Sequence, residues 1–170
     1  MKKERIEIDY LIADSINELE DADRQLFEEA VKALETAYAP YSEFNVGAAV
    51  ALENGEIVRG SNQENIAYPS GLCAERVAIF AAASQYPGVP IHTLAIAARH
   101  RKDLELENNA LSGHVTPCGA CRQVIMEYER LLEHPIRILT GATAGRIYII
   151  ENAESLLPLV FYSESLIKGR

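Results

Sequence analysis

The sequence predicts an α/β protein with three layers, α-β-α, built around a mixed five-stranded sheet. Helical and strand-like segments alternate in the order α-β-β-α-β-α-β-β-α, a pattern suited to one sheet covered on both faces. Asn54-Gly55 stands between two short apolar runs, and that dipeptide is a strong hairpin signal. A chain of 170 residues fits a single domain able to bury a core of its own.

Each element follows from its local pattern. After an acidic N-terminal extension, residues 1–20, the stretch "DADRQLFEEAVKALETAY" carries Leu26, Ala30, Ala33, Leu34 and Ala37 at helical spacing, with Asp21 and Asp23 as candidate N-caps. Pro40 ends it, because the residue before a proline is pushed out of the helical region. "NVGAAVAL" and "EIVRGSN" read as the two arms of the hairpin. Beyond the loop "YPSGL", in which Tyr68 is expected to be structural, an alanine-rich helix runs from about Leu72 to Ser84. "HTLAIAA" is a buried strand, and the polar stretch 99–116 is a long loop. "CRQVIMEYERLL" is a helix whose expected apolar face is Val124, Ile125, Tyr128, Leu131 and Leu132. "IRILT" and "RIYII" supply the last two strands, and "ESLLPLVF" a short helix and tail.

Bulk properties exclude several classes. The chain is 48% hydrophobic and 24% charged, with no apolar run near the eighteen or so residues that span a bilayer. "MKKERIEIDYLI" lacks an apolar segment ending in a small-residue cleavage site, so no signal peptide, no membrane and a cytoplasmic location are expected. A net charge of −9 repels phosphate backbones, and no Lys/Arg cluster offsets it. The expected partner is a small molecule and not a nucleic acid.

Chemistry concentrates at the three cysteines. Cys73 opens one helix in "GLCAERVAIF", while Cys118 and Cys121 open another in "TPCGACRQV", with Pro117 suited to a first turn. Sulfur at a helix N-terminus is favoured as thiolate by the dipole and the free N–H groups. Three thiolates at one point require a cation, and soft ligands select zinc. Three protein ligands leave a tetrahedral ion one open position, the mark of a catalytic site. Glu75, two residues past the first ligand, is placed to handle the protons of a water there. Arg76 or Arg122 could offset the excess negative charge by donating to the sulfurs. Other readings stay open on these residues alone. Cys118 and Cys121 could be a redox pair, Cys73 a buried apolar side chain, and Glu75-Arg76 an exposed pair. The zinc could also be structural, closed by His114.

"CAER", followed by "PCGACRQ" whose first cysteine stands 45 positions after Cys73, resembles the zinc signature of the cytidine deaminase family. The three-cysteine set is similar to the short members, typically homotetramers with sites shared between subunits. Relatives acting on free bases or nucleic acids commonly use histidine as first ligand. "YSEFNVGAAV" is similar to the segment carrying the aromatic wall of the base pocket, here Phe44. "SNQEN" resembles the ribose-binding stretch, which places Asn62 and Glu64 on the 3′-hydroxyl; two residues apart at a strand end, they face the same way. The resemblance further implies that backbone at Ala74 and Cys118 holds the base edge, and that Phe161 closes a neighbouring subunit's pocket. It covers roughly residues 26–161. The 99–116 loop and the N-terminal extension are longer than usual for these short enzymes.

What the resemblance implies is one Zn²⁺ per chain and hydrolytic deamination of cytidine and 2′-deoxycytidine, with Glu75 as proton shuttle and Arg76 behind the metal. Two rivals stand beside it: a deaminase of a modified cytosine nucleoside of the blasticidin S type, and a non-catalytic zinc-binding module.

Overall fold

The computed structural model describes residues 1–100 and 115–161. Among these, six strands form one sheet: β1 (Leu11–Ala13), β2 (Phe44–Leu52), β3 (Ile57–Ser61), β4 (Ile91–His100), β5 (Arg137–Ala142) and β6 (Ile147–Ile150). Their order is β1-β6-β5-β4-β2-β3. Every neighbouring pair is antiparallel except β4 and β5, which run parallel. Three helices, α1 (Asp21–Ala33), α2 (Ala74–Gln85) and α3 (Gly119–Leu131), cover the sheet.

The expected five strands are therefore corrected to six. The addition, β1, lies inside the N-terminal extension and pairs Leu11 with Ile149 and Ala13 with Ile147. Only one of its three residues is buried, so its alternation is too short to stand out. Arg99 and His100, expected in the long loop, instead end β4, paired with Asn45 and Phe44. The rest of that loop up to His114 lies outside the described residues.

Period-two alternation along the strands sorts two cores. Ala48, Val50, Leu94, Ile96 and Ile138 face α2 and α3, packing on Ala78, Ile79, Ile125 and Met126. Their neighbours Ala49, Ala95, Ala97 and Leu139 face α1, packing on Leu26, Phe27 and Ala30. Two glycines set how closely the helices approach. A Cβ on Gly47 would lie 2.1 Å from the Ala30 carbonyl oxygen of α1. One on Gly60 would lie 2.4 Å from the Ala78 nitrogen and 2.8 Å from the Ala74 oxygen of α2. Only glycine permits such contact. Gly60 thus fixes the first turn of α2 against β3. At the hairpin, Gly55 takes φ +88° and donates to the Leu52 carbonyl at 2.9 Å, the left-handed position a tight turn requires.

Two sequence expectations about helix surfaces are also corrected. Glu20, not Asp21 or Asp23, is the N-cap of α1, and it makes no side-chain cap bond. Asp23 turns inward, only 7% exposed, and pairs with Arg137 of β5. On α3 the buried residues are Cys121, Ile125 and Met126, whereas Leu131 is 68% exposed. No helix among the described residues is long and apolar enough to cross a membrane.

Candidate active site

Cys73 is the N-cap of α2 and Cys118 the N-cap of α3, both in extended conformation. Pro117 precedes that cap and is not a first-turn residue; its carbonyl accepts from Arg122 Nε at 2.8 Å. Cys121 lies in the first turn of α3 and is fully buried. The two helix starts meet because α3 is the crossover between parallel β4 and β5. The buried Thr140 of β5 donates to the Val115 carbonyl at 2.7 Å, anchoring the approach to Cys118.

The sulfurs form a compact triangle. Cys73 Sγ lies 3.8 Å from Cys118 Sγ, which lies 3.5 Å from Cys121 Sγ, and all three fall within 4.8 Å of one another. Zinc–sulfur bonds of about 2.3 Å in tetrahedral array give sulfur–sulfur edges of about 3.8 Å, so the triangle fits one zinc ion. Hydrogen bonding from Cys121, then from Arg76 and Cys118, holds the Cys73 thiol well below its ordinary range despite burial. Cys121 is pushed the other way by its bond to Cys73, by burial and by the Glu75 charge. A divalent cation removes that conflict, since coordinated thiols give up their protons.

Glu75, in the first turn of α2, is 4% exposed. Burial, then the Cys73 charge, raises its carboxyl above the usual value, while Cys121 lies within hydrogen-bonding reach. Arg76 sends Nη2 to the Gly71 carbonyl at 3.4 Å and to Cys73 Sγ at 4.0 Å. Of the two arginines expected to face the sulfurs, only Arg76 does. Arg122 instead ties Pro117 to the Leu156 carbonyl, the latter at 3.0 Å.

These groups border an open cavity of about 1090 Å³, lined also by Phe44, Asn62 and Glu64. The fold thus gathers three of the five expected pocket residues beside Cys73, Cys118 and Glu75. Asn62 is more constrained than expected. Its Oδ1 accepts from Val46 N at 2.9 Å and its Nδ2 donates to the Phe44 carbonyl at 2.9 Å, extending the β2–β3 ladder with a side chain. Each amide atom keeps capacity for one further hydrogen bond. Glu64 Oε2 accepts from the N–H groups of Tyr41 and Ser42 at 2.9 and 3.3 Å. Slight burial opposes ionisation, but the Ser42 side chain and these two N–H groups outweigh it, so the carboxylate sits below its usual pKa.

Ala74 and Phe161 are not among the cavity-lining residues of their own chain. Ala74 is fully buried, whereas Phe161 is 59% exposed. His114 lies outside the described residues. Sequence reasoning missed Tyr41, Ser42 and Tyr68 as lining residues. Tyr41 and Tyr68 meet edge-on, ring centres 6.0 Å apart. A tyrosine beside Pro40 in "APYSEF" and another before Pro69 were the available signals.

Residues 20–131 match the family model described as "Cytidine and deoxycytidylate deaminase zinc-binding region". The chain belongs to that family. A cytidine deaminase from Halalkalibacterium halodurans is 39% identical over 145 residues, covering 85% of this chain and 98% of the relative. Another, from Sporosarcina psychrophila, is 49% identical over 105 residues, covering 61% and 68%. Among solved structures, the cytidine deaminase from Burkholderia pseudomallei superposes with a TM-score of 0.67 at 34% identity, covering 81% of this chain and 97% of that one. Membership of this zinc-binding family and the Cys73, Cys118 and Cys121 triangle together fit one zinc per chain.

Proposed function

We propose that the chain catalyses hydrolytic deamination of cytidine and 2′-deoxycytidine, producing uridine or 2′-deoxyuridine and ammonia. The observation that carries this reading is the convergence on one cavity of a three-thiol zinc site, a buried carboxyl and the Asn62–Glu64 pair. Zinc in a site with three protein ligands supplies Lewis acidity and lowers the pKa of water enough to furnish a nucleophile near neutral pH.

The chain's own residues do the rest. Glu75 takes one proton from the attacking water and passes it to N3 of the pyrimidine as the oxygen adds at C4. It then carries the second proton to the exocyclic amino group, which departs as ammonia when the C4–N bond breaks. The proton at N3 remains there in uridine. Its desolvated position suits the carboxyl to both roles. Arg76 balances the charge of the sulfur cluster through Cys73. Phe44 offers a ring face to the base, with backbone at Ala74 and Cys118 holding the base edge. Asn62 and Glu64 receive the ribose 3′-hydroxyl; their bonds to β2 and to the 41–42 turn hold them in place before substrate arrives. Phe161, exposed in its own chain, closes the pocket of a neighbouring subunit in a homotetramer. The task is pyrimidine salvage in the cytoplasm.

The test is the fall in ultraviolet absorbance of cytidine with purified protein beside Glu75→Gln. The expected result is turnover in the wild type and zinc-replete but inactive Glu75→Gln. A Glu75→Gln enzyme with wild-type turnover and zinc content overturns the role of the carboxyl.

A further inference from the structure

His92 and His134 come together at the other end of α3. Cys118 caps the N-terminus of this 13-residue helix, while His134 follows its C-terminus in a turn. At 1.5 Å per residue, about 20 Å of helix separates that turn from Cys118 and about 15 Å from Cys121. His92, near the start of β4, brings its ring centre within 5.6 Å of the His134 ring at 44°. The deaminase reading uses neither residue.

The hydrogen bonds decide which nitrogens are available. His134 Nδ1 lies 2.9 Å from the Pro135 carbonyl oxygen. A carbonyl only accepts, so Nδ1 carries the proton and Nε2 keeps its lone pair. His92 Nδ1 lies 2.8 Å from the hydroxyl oxygen of the buried Thr93, which is able to accept in the same way. A ligating imidazole characteristically donates its second nitrogen to such a partner. The turn is held rigidly: Glu129 Oε2 accepts from Ile136 N at 2.8 Å and Ala153 N at 2.7 Å, and Glu133 adopts φ +51°. A non-glycine residue in the left-handed region is strain that the surrounding bonds must sustain.

We propose that His92 and His134 form a second cation site, taking a divalent transition metal of the zinc, nickel or copper type through their Nε2 atoms. Two imidazoles bound at about 2.1 Å with an angle of 110–120° between them place their ring centres about 5.2 to 5.6 Å apart. The observed ring separation of 5.6 Å falls at the upper end of that range. Imidazole nitrogen selects these borderline ions over calcium or magnesium, and water completes the coordination. The net charge of −9 favours cation approach.

The experiment uses protein with its cysteine-bound zinc in place. Titration with nickel chloride by calorimetry is expected to show one additional ion per chain. In His92→Gln and in His134→Gln that binding weakens at least tenfold, while zinc content and cytidine turnover stay at wild-type level, confirming that each variant folds. With copper, electron paramagnetic resonance is expected to show two-nitrogen ligation. A wild type that takes up no additional ion, variants that bind nickel as tightly as wild type, or a sulfur-to-copper charge-transfer band each overturn the proposal.

Discussion

The two faces of the sheet are built by the same alternation and serve different ends. On the α1 face, small strand residues such as Ala49, Ala95 and Ala97 admit a helix very closely, and Gly47 removes the last obstacle. Its charged pair, Asp23 with Arg137, is satisfied internally. The opposite face is packed with larger Val50, Leu94 and Ile96, yet it ends in three sulfurs and a buried carboxyl. Apolar burial suffices to make a face. Chemistry requires two helix N-termini to converge, because there the backbone offers unpaired N–H groups and the positive end of the dipole to anionic side chains.

That contrast can be broken or sharpened by substitution. The largest effect is expected from Cys121→Ser: loss of zinc and a fall in cytidine turnover of roughly 10³-fold or more, because the source of activated water goes with the metal. Metal analysis together with a turnover assay checks it; an active, zinc-replete Cys121→Ser would show that the triangle is not the metal site.

A matched pair of glycine substitutions comes next. Gly47→Ala and Gly60→Ala each drive a methyl into helix backbone and should cost about 1–3 kcal/mol of stability by overpacking, read as a lower denaturant midpoint. Gly60→Ala should also lower zinc occupancy and turnover, since Gly60 touches the turn that carries Cys73 and Glu75. Gly47→Ala should leave turnover per folded molecule unchanged. Equal losses of turnover would erase the distinction between the faces.

The smallest effect belongs to Asp23→Asn. Breaking a buried pair is costly, but the Arg137 side chain is 25% exposed and water recovers part of the loss, leaving about 1–2 kcal/mol. Thermal unfolding measures it, and kcat should not move.

The sequence made the site more legible than the periphery. A cysteine at a helix start is a local feature, visible within ten residues, and three of them with a glutamate need few alternatives weighed. Asp23 looked like a cap because the residue that draws it inward, Arg137, is 114 positions away. Arg122 sits next to a ligand in sequence but points at Leu156, since consecutive helical residues face in different directions. Leu131 matched a helical stripe that the helix no longer needs at its last turn. β1 escaped because three residues, one of them buried, carry no period. Asn62 shows the subtler gap: its position in the pocket was expected, but its bonds to β2 depend on strand register.

The parallel pairing of β4 with β5 has a consequence for biosynthesis. Cys73 and Cys118 stand 45 positions apart, and bringing them together requires β4 in its slot and α3 carried across the sheet. Closing so long a loop has an entropic cost that local contacts do not repay. The complete set of ligands therefore exists only on a chain whose central strands have docked. Zinc retained against a chelator, and not total zinc, thus reports molecules with the complete site, since an unfolded chain also binds metal through its cysteines, and chelation resistance during refolding would time the moment at which the sheet closes.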